Sequence, residues 1–227
     1  MLKNLLKNFH LSEDKIKKLN KLKNVVLEYN THTNLTSITD KEKFNVKHIL
    51  DSLSVLRDFD LNNKSILDVG SGGGFPGLAL AIVLEDSTIT MLDSNNKKIQ
   101  FIDHAIKELS LTNANTINAR VEETNIEEKY DVVVSRAVAS LNILIEITAF
   151  AAKIGGKLIY YKGTNAGLEL TEDWTKVKEL LGIEITNNIT FNLNEEIERR
   201  LIEFTKIKST NKEFPRVYSQ IKKNPIY

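Results

Sequence analysis

The sequence contains no cysteine, which excludes a disulfide framework and a metal site built from thiolates. No run of about 18 apolar residues occurs, so the sequence predicts no membrane-spanning helix. The amino-terminal segment MLKNLLKNFH has neither the apolar stretch nor the small-residue cleavage site of a secretory signal. Histidines and carboxylates do not cluster at the spacing of metal ligands, so we expect no metal. These absences favour a cytoplasmic protein.

The 227 residues, of which 41% are hydrophobic, suffice for one domain with a full core and some appendages. The net charge is only +1, but basic residues are concentrated at the two ends of the chain. Residues 206–227 hold six lysines and arginines against one acid, and residues 1–30 hold seven lysines against three acids. Such ends are either solvated surfaces or contacts with an anionic partner, and composition does not decide between them.

The order of predicted elements indicates an α/β fold. Residues 13–30 have the apolar spacing of an amphipathic helix capped by Ser12, and Asp40 can cap a second helix. Short β-branched runs then alternate with longer helical ones, which predicts a parallel sheet. The predicted strands are 65–69, 88–92, 115–118, 132–135 and 157–161, and the predicted helices are 76–84, 96–109, 141–153 and 168–181. The runs 184–191 and 200–207 predict a closing antiparallel pair.

The segment DVGSGGGFPG lies between the first predicted strand and its helix. Its glycines allow a sharp turn and a close approach of a ligand to the backbone, and the following helix offers free N–H groups to an anion. The spacing admits two interpretations. Gly72, Gly74 and Gly77 match the dinucleotide fingerprint, whereas Asp68, Gly70, Gly72 and Gly74 match the first motif of S-adenosylmethionine-dependent methyltransferases.

Asp93 ends the second predicted strand, 23 residues after Gly70, where an acid can accept hydrogen bonds from ribose hydroxyls. Together with the glycine loop, it predicts a nucleoside-containing cofactor. No Tyr-x-x-x-Lys pattern follows a strand and the sheet ends in an antiparallel pair, which favours S-adenosylmethionine over a nicotinamide dinucleotide. Methyl transfer needs little catalytic apparatus, because the cofactor already carries an activated methyl group and the protein must mainly align the nucleophile.

Two of the six arginines, Arg120 and Arg136, directly follow the third and fourth predicted strands. That position is the edge of the sheet where ligands bind, and the arginine fork suits phosphates and base edges. A salt bridge to a nearby acid is the alternative for each. Lys97 and Lys162 belong to the same edge, although Lys97 is as readily a solvated helix residue. Val121 and Glu122 follow the third strand, where an adenine ring would lie, or else begin a helix with an acidic first turn.

Several segments together resemble one family, the bacterial small-subunit ribosomal RNA guanine-N7 methyltransferases, also called glucose-inhibited division protein B. The resemblance runs from about residue 29 to the end of the chain. The matching segments are NLTS at 34–37, HILDS at 48–52, DVGSGGGFPG at 68–77, LDS at 92–94, RVEE at 120–123, SRAVASL at 135–141, YKG at 161–163 and FPR at 214–216. The HILDS and SRAVAS segments are the most specific of these.

The resemblance implies a Rossmann-like class I methyltransferase domain at 61–227 with a basic carboxy-terminal tail, and a helical extension at 1–60 packed on it. It further implies S-adenosylmethionine as cofactor and 16S ribosomal RNA, free or in the small subunit, as partner of a monomeric enzyme. The implied cofactor-binding residues are Gly70, Gly72, Gly74, Phe75, Asp93, Ser94, Val121, Glu122 and Arg136. The implied catalytic residues are Arg136, Arg120, Asn34 and Lys162, and the RNA-binding residues are Lys97, Lys47 and Arg216.

The chemistry of the fourth strand agrees with this expectation. Methyltransferases acting on exocyclic amines usually carry an Asn/Asp-Pro-Pro-aromatic element there, whereas this chain has Ser135-Arg136-Ala137. Guanine N7 offers an in-plane lone pair, so no general base is required. We expect the target guanine in a loop or an unpaired position, because N7 faces the deep, narrow groove of A-form RNA. Three other functions stay open: a small-molecule methyltransferase, a nicotinamide-dependent oxidoreductase and a non-catalytic scaffold.

Overall fold

The computed structural model describes residues 2–163, 169–170 and 173–227. Within these residues a seven-stranded sheet has the order β3-β2-β1-β4-β5-β7-β6. Its strands are β1 (Ser65–Val69), β2 (Thr88–Asp93), β3 (Ala114–Asn118), β4 (Tyr130–Arg136), β5 (Ala152–Lys162), β6 (Ile183–Asn192) and β7 (Glu198–Lys206). Strands β1 to β5 run parallel, and β7 is antiparallel to both β5 and β6. The predicted fold class, a mostly parallel sheet with a carboxy-terminal antiparallel pair, is confirmed.

Helices cover both faces of this sheet. They are α1 (Leu2–Leu5), α2 (Glu13–Tyr29), α3 (Lys41–Phe44), α4 (Asp51–Leu53), α5 (Gly77–Val83), α6 (Asn96–Glu108), α7 (Leu141–Thr148), α8 (Thr175–Leu181) and α9 (Tyr218–Lys223). A π-helical turn joins α3 to α4, so that residues 41–57 form one continuous helical segment. The two predicted caps are confirmed: the Ser12 hydroxyl accepts from the Lys15 N–H, and the Asp40 carboxylate accepts from the N–H groups of Glu42 and Lys43.

Two predicted helices differ from the structure. The helix predicted at 141–153 ends at Thr148, a short 3-10 turn follows, and β5 already begins at Ala152. The apolar run through Phe150 is buried, so its hydrophobicity does not reveal where helix gives way to strand. Gly155 then lies inside β5, where its φ of +82° accommodates a shift in the pairing with β4. For the helix predicted at 168–181, residues 168, 171 and 172 lie outside the described residues, and α8 covers the later part.

Two hydrophobic cores flank the sheet, as the alternation along its strands requires. In β1 the side chain of Ile66 packs into one core and that of Leu67 into the other. The first core contains α5, α6 and the apolar side of α2, including Leu22. The second contains α7, α8 and Ile221 of α9, so the carboxy-terminal tail is part of a core. The division into an extension at 1–60 and a domain at 61–227 stays a prediction, since the extension shares the first core.

The topology brings the ends of several strands to one edge of the sheet. The parallel strands β1 to β5 end there at Val69, Asp93, Asn118, Arg136 and Lys162. The antiparallel strand β7 begins at the same edge, because Arg200 pairs with Lys162. In an open α/β sheet this edge is where ligands bind, on either side of the point where the strand order reverses. That point lies between β1 and β4.

Candidate active site

The loop after β1 folds back over β2. The N–H groups of Gly70 and Ser71 both donate to the Leu92 carbonyl, at 2.7 and 3.1 Å. Gly70 has a φ of +71°, a left-handed backbone conformation that residues with a side chain rarely adopt. Gly77 is required for a different reason: a Cβ there would lie 2.4 Å from Met91 Cγ and 2.8 Å from Asp68 Oδ2. The predicted glycine turn between strand and helix is therefore sharply bent, and its neighbours pack too closely to admit a side chain at Gly77.

Asp68 lies fully buried beneath this loop. Its Oδ2 accepts the Gly77 N–H at 2.9 Å, whereas its Oδ1 is buried with no hydrogen-bond partner. Burial raises the pKa of Asp68 to about 7, against the opposing effect of the Gly77 N–H and the Arg136 charge. A buried carboxylate oxygen without a donor is unfavourable. Asp68 Oδ1 lacks a hydrogen-bond donor. The ammonium group of S-adenosylmethionine is a suitable donor, directly or through water.

A cavity of about 300 Å³ opens where β1, β2 and β4 end. Its walls are Val69, Gly70, Leu92, Asp93, Ser94, Lys98, Ala119, Arg120, Val121, Glu122, Ala137, Val138, Ile147 and Tyr218. Five of the predicted cofactor residues line it: Gly70, Asp93, Ser94, Val121 and Glu122. Val121 and Ile147 offer apolar contact, and the Glu122 side chain is only 7% exposed although it is ionisable. Apolar walls with carboxylates among them suit a nucleoside.

Asp93 has accepting capacity left for a ribose. Its Oδ2 accepts from the Gly72 N–H at 2.9 Å and its Oδ1 from the Asn95 N–H at 2.8 Å. A carboxylate can accept about four hydrogen bonds, so lone pairs remain on both oxygens. Asp93 therefore fixes the glycine loop and still fits the predicted role at the ribose. Gly72, Gly74 and Phe75 do not line the cavity; they shape the loop behind it.

The segment after β4 covers the glycine loop. Ala137 has a φ of +58°, which is uncommon for a residue with a side chain. Val138 follows and lies directly on Gly70, since a Cβ on that glycine would approach Val138 Cγ2 to 2.3 Å. Gly70 is therefore needed for two reasons, its backbone conformation and the contact with Val138.

Arg136 binds the helical segment of residues 41–57. Its Nη1 donates to the Lys47 carbonyl and to Asp51 Oδ2, both at 3.0 Å, and its Nη2 donates to His48 Nδ1 at 3.1 Å. Asp51 also accepts from Arg199 Nε at 3.1 Å. The guanidinium of Arg136 lies 5.7 Å from the centroid of the Phe75 ring. Two of the predicted cofactor-binding residues, Arg136 and Phe75, thus lie in one cluster.

His48 links this cluster to the loop of residues 29–37. Because arginine cannot accept, His48 Nδ1 is the acceptor of the Arg136 bond and the ring proton lies on Nε2. That Nε2 donates to the Thr36 hydroxyl at 2.8 Å, and the ring stacks on Phe75 with centroids 4.8 Å apart. Burial, and next the Arg136 charge, lower the pKa of His48 to about 3. The imidazole is therefore neutral and acts as a fixed link.

Lys162 is nearly buried and its ammonium group is occupied. Its Nζ donates to the Ala139 carbonyl at 2.9 Å and to Glu169 Oε2 at 2.7 Å. The same Glu169 oxygen accepts the N–H of Leu141 at the start of α7. Lys162 thereby holds the segment that carries Val138 over the glycine loop. In this structure the predicted catalytic lysine positions a loop.

The remaining predicted residues divide into exposed and paired ones. Asn34, Lys47 and Lys97 are exposed. Arg120 is half-exposed, 3.8 Å from Glu122 and 5.8 Å from the Tyr218 ring centroid. Arg216 differs from them, because its guanidinium forms two hydrogen bonds of 2.7 and 2.6 Å with the two carboxylate oxygens of the fully buried Glu146. The predicted RNA-binding role of Arg216 stays a prediction, with its guanidinium in a structural pair.

Several residues that line the site or bind its residues were not predicted from the sequence, among them Asp51, Glu169, Arg199 and Tyr218. Arg199 carried a usable signal, because the start of an antiparallel strand lies at the same edge as the ends of its parallel neighbours. Asp51 lay within a quoted segment, but its two arginine partners are distant in the sequence. In the described part of the chain, no group of three or more histidines and carboxylates could hold a metal ion.

Solved structures share the fold of this chain. Two solved structures with the same fold are an S-adenosylmethionine-dependent methyltransferase from Aquifex aeolicus and TYW2 from M. jannaschii in complex with AdoMet. The first has a TM-score of 0.56 and 16% identity, and covers 74% of this chain and 94% of its own. The second has a TM-score of 0.57 and 15% identity, with 70% and 76% covered. At these identities the likeness shows the fold alone, and it is the fold that was predicted from the sequence.

Sequence comparison gives the family. The model of rRNA small subunit methyltransferase G matches residues 15–201. Ribosomal RNA small subunit methyltransferase G of Mesoplasma florum is 40% identical, over 93% of this chain and 90% of the relative. The same enzyme of Lysinibacillus sphaericus is also 40% identical, over 97% and 94%. The chain belongs to the rRNA small subunit methyltransferase G family, which confirms the family prediction.

Proposed function

We propose that this chain transfers the methyl group of S-adenosylmethionine to N7 of one guanine in small-subunit ribosomal RNA. The observation that carries the proposal is the cavity at the glycine loop. Its walls have a carboxylate for the ribose at Asp93 and apolar contacts at Val121. The adjacent glycine loop covers Asp68, whose buried Oδ1 has no hydrogen-bond donor. In a chain of this family, that arrangement supports a nucleoside sulfonium as the methyl donor.

The reaction needs alignment more than proton transfer. When bound, S-adenosylmethionine supplies a methyl group already activated on a sulfonium. The N7 lone pair forms the new bond to carbon while the sulfur–carbon bond breaks, and no proton has to leave the guanine. The structure supports this route in two ways. Ser135 and Arg136 end β4 and Ala137 follows them, and burial, and next the Arg136 charge, lower the pKa of His48 to about 3, so its imidazole stays neutral. The task of the protein is to fix the base in line with the sulfur.

Arg136 retains donors for the base. Arginine has five N–H donors, and the bonds to Lys47, Asp51 and His48 use three, which leaves the Nε–H and one Nη2–H. These two could contact the guanine O6 or a phosphate oxygen while the rest of the guanidinium stays anchored. An arginine held on three sides loses little freedom when it binds substrate, so it suits a positioning role.

We further propose that the exposed basic and amide side chains at this edge contact the RNA: Asn34, Lys47, Lys97 and Arg120. Their exposure supports contacts with phosphates, which set affinity and salt dependence. Lys162 acts on the segment over the glycine loop. The target guanine is unpaired in the small subunit, because N7 is inaccessible in a regular A-form helix. We propose that the enzyme works as a monomer in the cytoplasm; no helix in the described residues is long and apolar enough to cross a membrane.

The test uses methyl-labelled S-adenosylmethionine and small ribosomal subunits from a strain that lacks this gene. After incubation the RNA is digested, and the labelled nucleoside and its position are identified. We expect label in 7-methylguanosine at one site, and a strong decrease with Arg136→Lys. Label in another nucleoside would overturn the N7 assignment, and full activity of Arg136→Lys would overturn the role of Arg136. No label on subunits or free RNA, with cofactor binding intact, would overturn the RNA substrate in favour of a small molecule.

A further inference from the structure

We propose that Tyr218, in the carboxy-terminal tail, is a cofactor-binding residue that packs its ring against the adenine of S-adenosylmethionine. The inference rests on the proposed cofactor but not on the proposed substrate. It gives the tail a different role from the RNA contact predicted from its basic charge. Under this proposal the tail completes the nucleoside site.

The position of Tyr218 is the first argument. Its side chain lines the 300 Å³ cavity together with Val121, Glu122 and Ile147. It also lines an adjoining surface depression of about 330 Å³, on the side of Pro215 and Val217. Tyr218 therefore stands between the cavity and the surface. Among the described residues that line the cavity, it is the only aromatic one.

The anchoring of the tail is the second argument. On one side of Tyr218, Arg216 is fixed to the buried Glu146 of α7 by its backbone N–H as well as its guanidinium. On the other side, Ile221 is fully buried in the second core. Asn142 of α7 also donates to the Tyr227 carbonyl at 3.2 Å. A tail anchored before and after Tyr218 holds the ring at the cavity wall, as a binding site requires.

The chemistry of the wall is the third argument. Purines stack on aromatic side chains, and an aromatic wall opposite aliphatic ones gives a flat slot that suits a ring. The Arg120 guanidinium lies over the Tyr218 ring, 5.8 Å from its centroid, and this cation–π contact restrains the ring. The buried Glu122 carboxylate is the acceptor in the same cavity for the adenine amino group. Tyr218, Val121 and Glu122 then contact the base, while Asp93 contacts the ribose.

Coupling between cofactor and tail follows from this arrangement. If the adenine packs on Tyr218, then cofactor binding favours the docked tail, and the docked tail raises cofactor affinity by the same factor. S-adenosylhomocysteine has the same adenosine and no methyl group, so it reports this coupling without turnover.

The experiment measures the dissociation constant of S-adenosylhomocysteine by calorimetry for the full chain and three variants. Tyr218→Ala should weaken binding by about tenfold, in line with the loss of one base–aromatic stack. Tyr218→Phe keeps the ring and should bind within about twofold of the parent. Val217→Ala is the matched control, because Val217 is the neighbouring residue, is 65% exposed and lines only the outer depression.

A second measurement tests the proposal even if Tyr218→Ala misfolds. Hydrogen exchange of the amides at 214–223 is followed with and without S-adenosylhomocysteine, and we expect the ligand to slow it in the parent and in Tyr218→Phe. An unchanged dissociation constant for Tyr218→Ala, in a variant with a native circular dichroism spectrum, would overturn the proposal. Normal binding combined with reduced RNA methylation would also overturn it. If no 7-methylguanosine forms but binding still depends on Tyr218, only the proposed substrate fails.

Discussion

Arg136 and Asp51 form a nearly buried ion pair, with 3.0 Å between Nη1 and Oδ2 and with side chains 14% and 4% exposed. The pair joins the end of β4, beside the cavity at the glycine loop, to the helical segment of residues 41–57. Arg199 completes it from the start of β7. One carboxylate thus binds two arginines, which come from the strands on either side of β5. The geometry of Arg136 depends on an aspartate that need not touch either substrate.

This dependence predicts a large effect of Asp51→Asn on stability. The substitution leaves two arginines without their counter-charge, and breaking a buried pair by removing one partner costs about 3–5 kcal/mol. We expect a loss of that order in the free energy of unfolding, measured by urea denaturation. The matched control is Asp14→Asn, since the pair of Asp14 with Lys17 is highly exposed and should change stability by less than about 1 kcal/mol. Equal effects of the two substitutions would contradict the role of Asp51.

Residues close in sequence account for what could be predicted. The turn from β1 to α5 and the acid after β2 follow from local patterns, because glycine conformation and strand ends are local properties. The partners of the charged residues could not be found in this way. Asp51 lies 85 residues from Arg136, and Glu146 lies 70 residues from Arg216. Their pairing depends on the packing of α4 beside the end of β4 and of the carboxy-terminal tail on α7, which no spacing in the sequence encodes.

The position of Tyr218 at the cavity could not be predicted from the sequence for the same reason. The tail is rich in lysine and looks like an exposed arm, whereas the packing of Ile221 and Ile226 docks it on α7. Apolar residues at the end of a chain do not say which surface they cover. Of the residues that were missed, only Arg199 could have been placed from strand direction, because β7 begins at the edge of the sheet where the parallel strands end.

His48 should make the protein less stable in acid. Its pKa is lowered to about 3 in the folded chain, against 6.5 for the free side chain, so between these values the unfolded chain binds more protons. The free energy of unfolding should therefore fall as the pH falls from about 6.5 towards 3. His48→Gln can keep both hydrogen bonds without titrating, and it should flatten this part of the pH profile in urea denaturation. The matched control is His32→Gln, because the His32 side chain is exposed.

Asp68 should act in the opposite direction. Its folded pKa of about 7 lies above 3.8, so the folded chain keeps a proton that the unfolded chain has released. Stability should fall as the pH rises from about 4 to 7, and Asp68→Asn should remove that decline. Chemical denaturation at pH 5 and at pH 8 gives the measurement. A stability difference between these two pH values that is the same in Asp68→Asn and in the parent would contradict the effect of burial on Asp68.

Gly77 should tolerate no side chain, for reasons of space. An added Cβ would meet Met91 and the Asp68 carboxylate, and overpacking of this kind costs about 1–3 kcal/mol. We expect Gly77→Ala to lose that much stability and to weaken S-adenosylhomocysteine binding, because Asp68 and the loop must shift. Gly163→Ala is the control: it lies after β5, its Cβ would meet nothing within 4 Å, and its φ is not positive. Thermal unfolding and calorimetry test both variants.

Arg216 separates a structural from an RNA-binding role for the basic tail. Its guanidinium pairs through two hydrogen bonds with Glu146, whose side chain is fully buried, so Arg216→Ala leaves a buried charge uncompensated. We expect a loss of about 3–5 kcal/mol in the free energy of unfolding, most of it recovered when Glu146→Leu is added. In RNA binding below the unfolding transition, Arg216→Ala should leave the slope of log affinity against log salt unchanged. Lys97→Ala serves as the comparison, because Lys97 is exposed and is one of the proposed RNA contacts. Removal of one phosphate contact decreases that slope by about 0.7–0.9. If Arg216→Ala decreased the slope by this amount and kept normal stability, Arg216 would be an RNA contact and its structural role would be contradicted.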